Sequence, residues 1–225
     1  MNFEAVLFDC DGVLVDSEGI TNGVLRQMLA EMGWVLGRNE CMRLFVGKAV
    51  KDETALIEAN TGQRIDEDWL AQFRARRDAA LQRDLCVVPN AHEAVNAVHA
   101  HYGGRVACAS GADRVKVELQ LRKVALMPYF EGRIFSGHET PRSKPAPDVY
   151  LAAAHALGAQ ASRCVVVEDS VPGVLAGVAA GATVFAYCVA GIGIGIADAA
   201  DLRRAGATTI FTDMAQLAGL VNRSA

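Results

Sequence analysis

The sequence predicts an α/β fold in which a doubly wound parallel sheet, a Rossmann-like core, carries a small inserted α-helical domain. Two observations predict it. From about residue 86 onward, short apolar runs alternate with amphipathic helical segments at regular spacing, which is typical of successive strand–helix–strand units. Residues 17–86, by contrast, show helical patterns and no strand, and this stretch is much longer than an ordinary connection between a strand and a helix.

Each predicted strand is a short run that is apolar throughout, as expected when helices cover both faces of a sheet. Six runs fit, at residues 5–8, 105–109, 132–135, 164–167, 183–187 and 209–211. Helical patterns follow most of them, at residues 91–101, 113–121, 147–157, 171–180 and 213–221. Three more helices are predicted within the long stretch, at residues 21–32, 51–60 and 66–83. We therefore expect a core formed by residues 1–16 and 87–225 and an inserted helical domain at residues 17–86, above the crevice where open α/β sheets bind ligands.

The composition argues against several classes of protein. With 225 residues, 52% of them hydrophobic, the chain can bury a core without disulfides or metals to hold it together. A net charge of −4 argues against a nucleic-acid partner, because binding to phosphates requires a basic face. The six cysteines are scattered without a C-x-x-C pair, and the N-terminus shows no basic signal region. We therefore expect reduced thiols and a cytoplasmic protein.

Residues 170–197 carry no charged side chain and imitate a membrane span. Pro172 and the glycines at positions 173, 177, 181, 191, 193 and 195 divide the stretch into shorter pieces. We expect a buried helix that ends near Gly181, a strand at residues 183–187 and then a glycine-rich loop. This interpretation predicts a protein interior and no membrane partner.

The first predicted strand ends in two aspartates, Asp9 and Asp11, followed by Gly12. Positions i and i+2 of an extended chain point to the same side, so both carboxylates would lie together at the edge of the sheet, and the glycine permits a sharp exit. Like charges that close are costly unless a cation or a proton offsets them. The alternative is a pair of solvated turn aspartates, because aspartate is common where strands end.

A second apolar strand ends in Glu168 and Asp169. In a parallel sheet both acidic strand ends lie at the same edge, and three or four carboxylates that meet there require a metal ion. Oxygen ligands without histidine or cysteine favour a hard cation, and Mg²⁺ is the one that usually accompanies phosphate. The alternative is a helix N-cap at Asp169 or Ser170, which explains one residue and leaves the other acids unexplained.

Two further positions could bind an anion. Ser110 and Gly111 follow the strand at residues 105–109 and would offer a hydroxyl and a backbone N–H group at a helix start. Ser110 with Asp113 also resembles a capping arrangement, which is the stronger interpretation of this segment alone. Lys144 stands next to two prolines that restrict its backbone, so its ammonium group could be held against phosphate and carboxylates, although most lysines face solvent.

The order of these motifs along the chain, an acid pair, a hydroxyl, a lysine and a second acid pair, resembles that of the haloacid dehalogenase-like phosphohydrolases. The matching segments are the run DCDGVLVDS from Asp9 to Ser17, Ser110-Gly111, Lys144-Pro145 and Glu168-Asp169-Ser170. The likeness covers essentially the whole chain, and the helical insert is similar to the small α-helical cap domain of that family. Within the family, the sequence is most similar to the sugar-phosphate phosphatases and β-phosphoglucomutases, the 6-phosphogluconate phosphatase-like members among them.

The resemblance implies a mechanism. Asp9 would attack phosphorus and form an aspartyl-phosphate, and Asp11 would protonate the leaving oxygen and then take a proton from the hydrolysing water. Mg²⁺ would be held by the Asp9 side chain, the Asp11 backbone carbonyl and Asp169, with Glu168 coordinating it directly or through another ligand. The phosphoryl oxygens would be neutralised by three residues, namely Ser110, Gly111 and Lys144.

In this family the cap selects the substrate. The candidates here for contacting an anionic sugar acid or a second phosphate are Lys48, Lys51 and Arg77, although the arginines of residues 66–83 would also suit a solvated helix face. The expected substrate is a small phosphorylated metabolite, a sugar phosphate or a sugar-acid phosphate. The expected state of the chain is a monomer.

Other activities fit the motifs less well. Dehalogenases of the family lack the second aspartate, which is present here as Asp11. β-Phosphoglucomutases have a histidine ten residues after that aspartate, where this chain has Thr21, so hydrolysis is favoured and mutase activity is the alternative. A phospho-accepting signalling domain of the response-regulator type is shorter, and its acid pair precedes the phosphorylated aspartate. A catalytically silent binding protein would not need the complete motif set.

Overall fold

Eight strands are present in the computed structural model, which describes residues 3–188 and 197–223. In chain order they are β1 (Ala5–Phe8), β2 (Val15–Asp16), β3 (Cys86–Val87), β4 (Val106–Ser110), β5 (Ile134–Ser136), β6 (Cys164–Glu168), β7 (Thr183–Tyr187) and β8 (Thr209–Phe211). Six of them form one parallel sheet in the order β5-β4-β1-β6-β7-β8. The predicted doubly wound parallel fold is confirmed, and the six predicted strands lie within two residues of the observed bounds.

The three central strands explain why the sheet forms here. Every residue of β1, β4 and β6 is buried, which agrees with apolar side chains on both faces of each strand. Because β1 lies between β4 and β6, the chain builds one half of the sheet and then returns to build the other. The crevice at the carboxyl ends of these strands is therefore the topological switch point where open α/β sheets bind ligands.

The helices divide between two compact units. The helical unit, residues 17–85, contains α1 (Glu18–Glu31), α2 (Arg38–Phe45), α3 (Thr54–Thr61) and α4 (Glu67–Asp84). The sheet unit is described over residues 3–16, 86–188 and 197–223. It contains α5 (Ala91–His101), α6 (Arg114–Lys123), α7 (Met127–Phe130), α8 (Asp148–Ala156), α9 (Val171–Ala179), α10 (Ala199–Arg204) and α11 (Leu217–Arg223).

Strands β2 and β3 form a separate antiparallel ribbon, with Val15 opposite Val87 and Asp16 opposite Cys86. Both strands belong to the sheet unit and flank the helical unit in sequence. The sequence did not predict them, because two residues are too few to show an alternating pattern. Since Cys86 pairs in the ribbon, the sheet unit resumes one residue before the predicted boundary.

The helical unit has an apolar core of its own, to which all four helices contribute: Leu25, Leu29, Phe45, Ile57 and Phe73. Helices α1, α3 and α4 were predicted, and α4 begins after the N-cap Asp66, whose side chain accepts from the Trp69 N–H at 2.9 Å. Helix α2 was not predicted. Its sequence is mostly polar, and only Cys41, Met42 and Phe45 are buried, which is too little for a clear apolar period.

The uncharged stretch forms the predicted elements as far as residue 188. Helix α9 ends at Ala179, and β7 occupies Thr183–Tyr187. The predicted glycine-rich loop, with Gly191, Gly193 and Gly195, lies outside the described residues. None of the helices within the described ranges combines the length and the hydrophobicity that a membrane span requires.

Candidate active site

The carboxyl ends of β1, β4 and β6 carry the residues with reactive side chains. The register of the three strands brings these ends to one edge of the sheet. Asp9 follows β1 directly, Ser110 ends β4, and Glu168 ends β6 with Asp169 next to it. The backbone N–H of Asp9 donates to the carbonyl oxygen of Val167 at 2.9 Å, so the exit from β1 is tied to β6. The parallel ladder itself therefore places the two predicted acid pairs side by side.

Lys144 connects the two acidic strand ends. Its ammonium group donates to Asp9 Oδ1 at 2.6 Å and to Glu168 Oε1 at 2.7 Å, and only 8% of its side chain is exposed. Lys144 Nζ also lies 4.8 Å from the centre of the Tyr150 ring, and the Tyr150 hydroxyl donates to Glu168 Oε1 at 2.8 Å. Sequence reasoning singled out Lys144 but missed Tyr150, which looks like an ordinary core aromatic of α8.

Glu168 is fully buried, and both of its oxygens accept several hydrogen bonds. Besides the bonds from Lys144 and Tyr150 to Oε1, Oε2 accepts from the Asp169 N–H at 2.9 Å and from the N–H and hydroxyl of Ser170 at 3.0 Å each. Ser170 also caps α9, because its Oγ accepts from the Gly173 N–H at 3.1 Å. These contacts favour a role for Glu168 in holding Lys144 and the turn at Asp169 and Ser170 in place, rather than in direct metal coordination.

Gly173, in the first turn of α9, should not tolerate a side chain. A Cβ atom there would lie 1.6 Å from Glu168 Oε1, and that carboxylate is fixed by five hydrogen bonds. We expect Gly173→Ala to lower the free energy of unfolding by about 1–3 kcal/mol, measured by urea denaturation. The control is Gly23→Ala in α1, where nothing lies within 4 Å of the added methyl group. It should be neutral or stabilising by up to about 1 kcal/mol. A Gly173→Ala protein as stable as wild type would contradict this account of the site.

The acidic residues at this edge fit a divalent cation. Asp9, Glu168 and Asp169 each offer a carboxylate oxygen within 4.8 Å of the others. Gly12, with a φ angle of +76°, is packed so closely that a Cβ atom would lie 1.9 Å from Asp169 Oδ2. The glycine therefore leaves the carboxylate of Asp169 room beside the turn that follows β1.

The charges of the site lead to the same conclusion. Its two ammonium groups, on Lys116 and Lys144, are outnumbered by the four carboxylates when these are ionised: Asp9, Asp11, Glu168 and Asp169. The excess of two negative charges is the amount that one divalent cation would neutralise. All the available side-chain donors of the cluster are oxygens, which suit a hard cation.

Burial is the main influence on the protonation of this cluster. It raises the pKa of Asp9 to about 7, because the attraction of Lys144 only partly offsets desolvation and the repulsion of Glu168 and Asp11. Burial would also raise the pKa of Glu168, but Lys144 and the donors of Ser170 and Tyr150 bring it below the ordinary value. Desolvation would lower the pKa of Lys144, yet Asp9 and Glu168 hold it well above its usual range. The site therefore contains a charged lysine and a carboxylate, Asp9, whose ionised form needs further positive charge.

Ser110 and Gly111 lie at the end of β4, where the sequence predicted a phosphate-binding loop. Ser110 is buried, and its Oγ accepts from the Ala112 N–H at 3.1 Å. The capping interpretation of Ser110 is wrong, because α6 starts later and is capped by Asp113, whose side chain accepts from the Lys116 N–H at 2.9 Å. The Ser110 hydroxyl therefore belongs to the loop that follows β4 and not to the first turn of the helix.

Asp11 has two partners that sequence reasoning missed. Lys116 donates to both of its carboxylate oxygens at 2.9 Å, and Gln120 Nε2 donates to Oδ1 at 2.8 Å. Both partners are on α6, one turn apart. The sequence offered one signal for them, which is their spacing of four residues. This spacing places both long polar side chains beside Val117 and Leu121 on the buried face of the helix.

The three cap candidates have polar partners within the helical unit. Lys48 pairs with Glu53 at 3.4 Å and Lys51 with Asp52 at 2.9 Å, and both lysines are about half exposed. Arg77 is mostly buried and pairs with its neighbour Asp78 at 2.8 Å, which the interpretation as a solvated helix face did not predict. A role in substrate selection stays a prediction for all three.

This sequence and fold are similar to those of known hydrolases and phosphatases. The family model of the haloacid dehalogenase-like hydrolases matches residues 3–181. The 6-phosphogluconate phosphatase of Escherichia coli is 30% identical over 82% of this chain and 82% of its own length. Hexitol phosphatase B of the same organism is 30% identical over 78% of this chain and 79% of its own. A hydrolase of that family from Deinococcus radiodurans, solved with bound phosphate and sodium, is 36% identical, covers 99% of this chain and 96% of its own, and superposes with a TM-score of 0.79.

Proposed function

We propose that this chain, which belongs to the haloacid dehalogenase-like hydrolase family, is a Mg²⁺-dependent phosphatase of a small phosphorylated metabolite. The chain is an enzyme of the phosphoric monoester hydrolase class. The observation that carries the proposal is the buried contact of Lys144 with Asp9 and Glu168, beside Asp169, at the switch point of the sheet. It provides a nucleophile, a fixed positive charge and a set of cation ligands in one place.

Asp9 is the proposed nucleophile. An oxygen of its carboxylate forms a bond to the substrate phosphorus while the bond from phosphorus to the leaving oxygen breaks, which gives an aspartyl-phosphate. Asp11 gives a proton to the departing oxygen and takes one from the water that hydrolyses the intermediate. Two easier displacements thereby replace a single difficult one.

The other residues of the site neutralise the transferred phosphoryl group. Lys144 supplies a fixed positive charge, and the Ser110 hydroxyl and the Gly111 N–H supply hydrogen-bond donors at the end of β4. The ligands proposed for Mg²⁺ are Asp9, Asp169 and the backbone carbonyl of Asp11. When bound, the cation would stabilise negative charge on the phosphoryl oxygens.

The proposed substrates are sugar phosphates or sugar-acid phosphates. The support comes from two similar proteins of comparable length, whose names are 6-phosphogluconate phosphatase and hexitol phosphatase. A third, the Deinococcus radiodurans hydrolase, was solved with bound phosphate. We propose that Lys48, Lys51 and Arg77 contribute to the choice of substrate through their positive charges.

The proposal is tested by measuring phosphate release from a panel of hexose phosphates, hexitol phosphates, 6-phosphogluconate and an aryl phosphate, with Mg²⁺ and with excess chelator. We expect turnover that requires the metal and is highest for one of the sugar or sugar-acid phosphates. Isomerisation of β-glucose 1-phosphate with little release of phosphate would instead identify a mutase. A long-lived phosphorylated protein without turnover would favour a signalling domain, and no reaction at all would overturn the proposal.

Stabilisation of the fold by Mg²⁺ should depend on pH. Because the pKa of Asp9 is raised to about 7 in the fold, the folded protein holds a proton that the unfolded chain has lost, so the stability of the metal-free protein falls as the pH rises toward 7. A cation must displace that proton below this pH and meets an ionised carboxylate above it. The rise in unfolding temperature on adding Mg²⁺ should therefore be larger at about pH 8 than at about pH 6. An equal rise at both values would contradict this assignment of Asp9.

A further inference from the structure

The carboxylate of Asp11 is held by a pair of side chains on α6. Lys116 Nζ lies 2.9 Å from both Oδ1 and Oδ2, and Gln120 Nε2 lies 2.8 Å from Oδ1. The contact is protected from water, since 9% of the Lys116 side chain and 13% of the Asp11 side chain are exposed and Gln120 is fully buried. Charge-assisted hydrogen bonds in such surroundings are among the stronger ones that a protein makes.

The two donors are themselves fixed in orientation. The Cys10 thiol donates to Gln120 Oε1 at 3.5 Å, so the amide of Gln120 presents its oxygen to Cys10 and its nitrogen to Asp11. Lys116 lies one turn before Gln120, and its backbone N–H is bonded to the N-cap Asp113 at 2.9 Å. Since α6 follows directly on the loop after β4, the proposed phosphate-binding loop and the two donors belong to one continuous segment of the chain.

The direction of these hydrogen bonds assigns a role to Asp11. An ammonium group and an amide nitrogen can only donate, so Asp11 accepts at both of its oxygens. In this arrangement Asp11 is held as the carboxylate, the form that takes up the proton of the hydrolysing water. Asp11 is also two residues from the proposed nucleophile Asp9, and both follow the end of β1.

We propose that Lys116, assisted by Gln120, is a positioning residue that holds Asp11 as the proton acceptor for hydrolysis of the aspartyl-phosphate. The inference rests on the proposed function. In that step the water oxygen forms a bond to phosphorus, the bond from phosphorus to the Asp9 oxygen breaks with its electron pair returning to Asp9, and the water proton passes to Asp11. The earlier step, in which Asp11 gives a proton to the leaving oxygen, does not use this arrangement.

The variant Lys116→Met separates the two steps. It keeps most of the length of the side chain and removes the charged donor, so Asp11 loses its fixed position while Asp9 and Lys144 keep theirs. We expect hydrolysis of the intermediate to slow by about 10²-fold, in the range that a misplaced general base causes. Formation of the intermediate from p-nitrophenyl phosphate should change by less than about 3-fold, because p-nitrophenolate leaves without taking up a proton.

The measurement is rapid mixing of enzyme, Mg²⁺ and p-nitrophenyl phosphate with detection of p-nitrophenolate. Lys116→Met should show a burst that approaches one equivalent per chain, followed by a slow steady rate. Gln120→Leu should show a smaller change of the same kind, and Lys116→Arg should recover part of the steady rate. The control is Lys123→Met, an exposed lysine at the end of the same helix, which should behave as wild type.

Two results would overturn the positioning role. One is an equal loss in burst rate and steady rate in Lys116→Met, with an unfolding midpoint like that of wild type. The other is a steady rate equal to or above that of wild type. If Lys116→Met does not fold, the same measurement is made on Lys116→Arg and Gln120→Leu. In those variants, a ratio of burst rate to steady rate equal to that of wild type would contradict the positioning role. If the proposed function itself is wrong, the wild-type protein will show no Mg²⁺-dependent turnover. That result is distinct from a failure of the positioning role, in which wild type is active.

Discussion

Replacing Asp9 with asparagine should lower turnover of every phosphate monoester that the wild-type protein hydrolyses by at least about 10⁴-fold. The amide has nearly the same shape as the carboxylate, but it cannot attack phosphorus and form an acyl phosphate. It also removes the negative charge that faces Lys144 at 2.6 Å. Because burial already raises the pKa of Asp9 to about 7, a neutral group at this position should cost the fold little.

The measurement for Asp9→Asn is steady-state phosphate release, accompanied by the thermal unfolding midpoint. A matched control is Asp68→Asn, which makes the same chemical change at an exposed position in the first turn of α4 and should keep full activity. If Asp9→Asn retained a tenth or more of wild-type turnover, a covalent route through Asp9 would be wrong. A loss of activity explained by unfolding would show as a fall in the midpoint.

The second large effect is expected for Lys144→Met, which should damage both stability and activity. It removes the ammonium group that pairs with the carboxylates of Asp9 and Glu168, and Glu168 is fully buried. Breaking a buried ion pair on one side leaves an uncompensated charge and costs about 3–5 kcal/mol. Turnover should fall by about 10²–10³-fold, because one donor to the transferred phosphoryl group is lost.

A second substitution separates these two losses. In the double variant Lys144→Met with Glu168→Gln, the unpaired buried charge is gone, so part of the stability measured by urea denaturation should return. Activity should stay low, since the positive charge beside Asp9 is still missing. The control Lys123→Met should change neither property. A Lys144→Met protein with wild-type stability, or a double variant with restored turnover, would contradict the proposed role of Lys144.

The parts of the fold that the sequence predicted are those with a long or uniform signal. The strands β1, β4 and β6 are buried on both faces and apolar except for the last residues of β4 and β6, and the helices α1 and α4 are long. The ribbon of β2 and β3, with two residues in each strand, and the short helices α7 and α10 carry no such signal. Their positions are set by the packing of the finished fold.

The site divides in the same way. Acid pairs at strand ends could be predicted to meet because a parallel sheet brings such ends to one edge, and Lys144 was marked by its prolines. Lys116 and Tyr150 were missed, because nothing along the chain connects either residue with Asp11 or Glu168. Contacts of this kind depend on how a helix is rotated against the sheet, which the period of its apolar residues determines only to within about one position.

The most direct test of the account is to look for the phosphoryl group on Asp9. The protein is mixed with Mg²⁺ and a substrate from the panel, quenched in acid within milliseconds and treated with borohydride, which reduces an aspartyl-phosphate to homoserine. Tandem mass spectrometry of the peptide that contains Asp9 and Asp11 then locates the change. We expect homoserine at position 9, in a larger fraction of chains for Lys116→Met than for wild type. Modification at position 11, or none at any quench time in either protein while turnover continues, would contradict it.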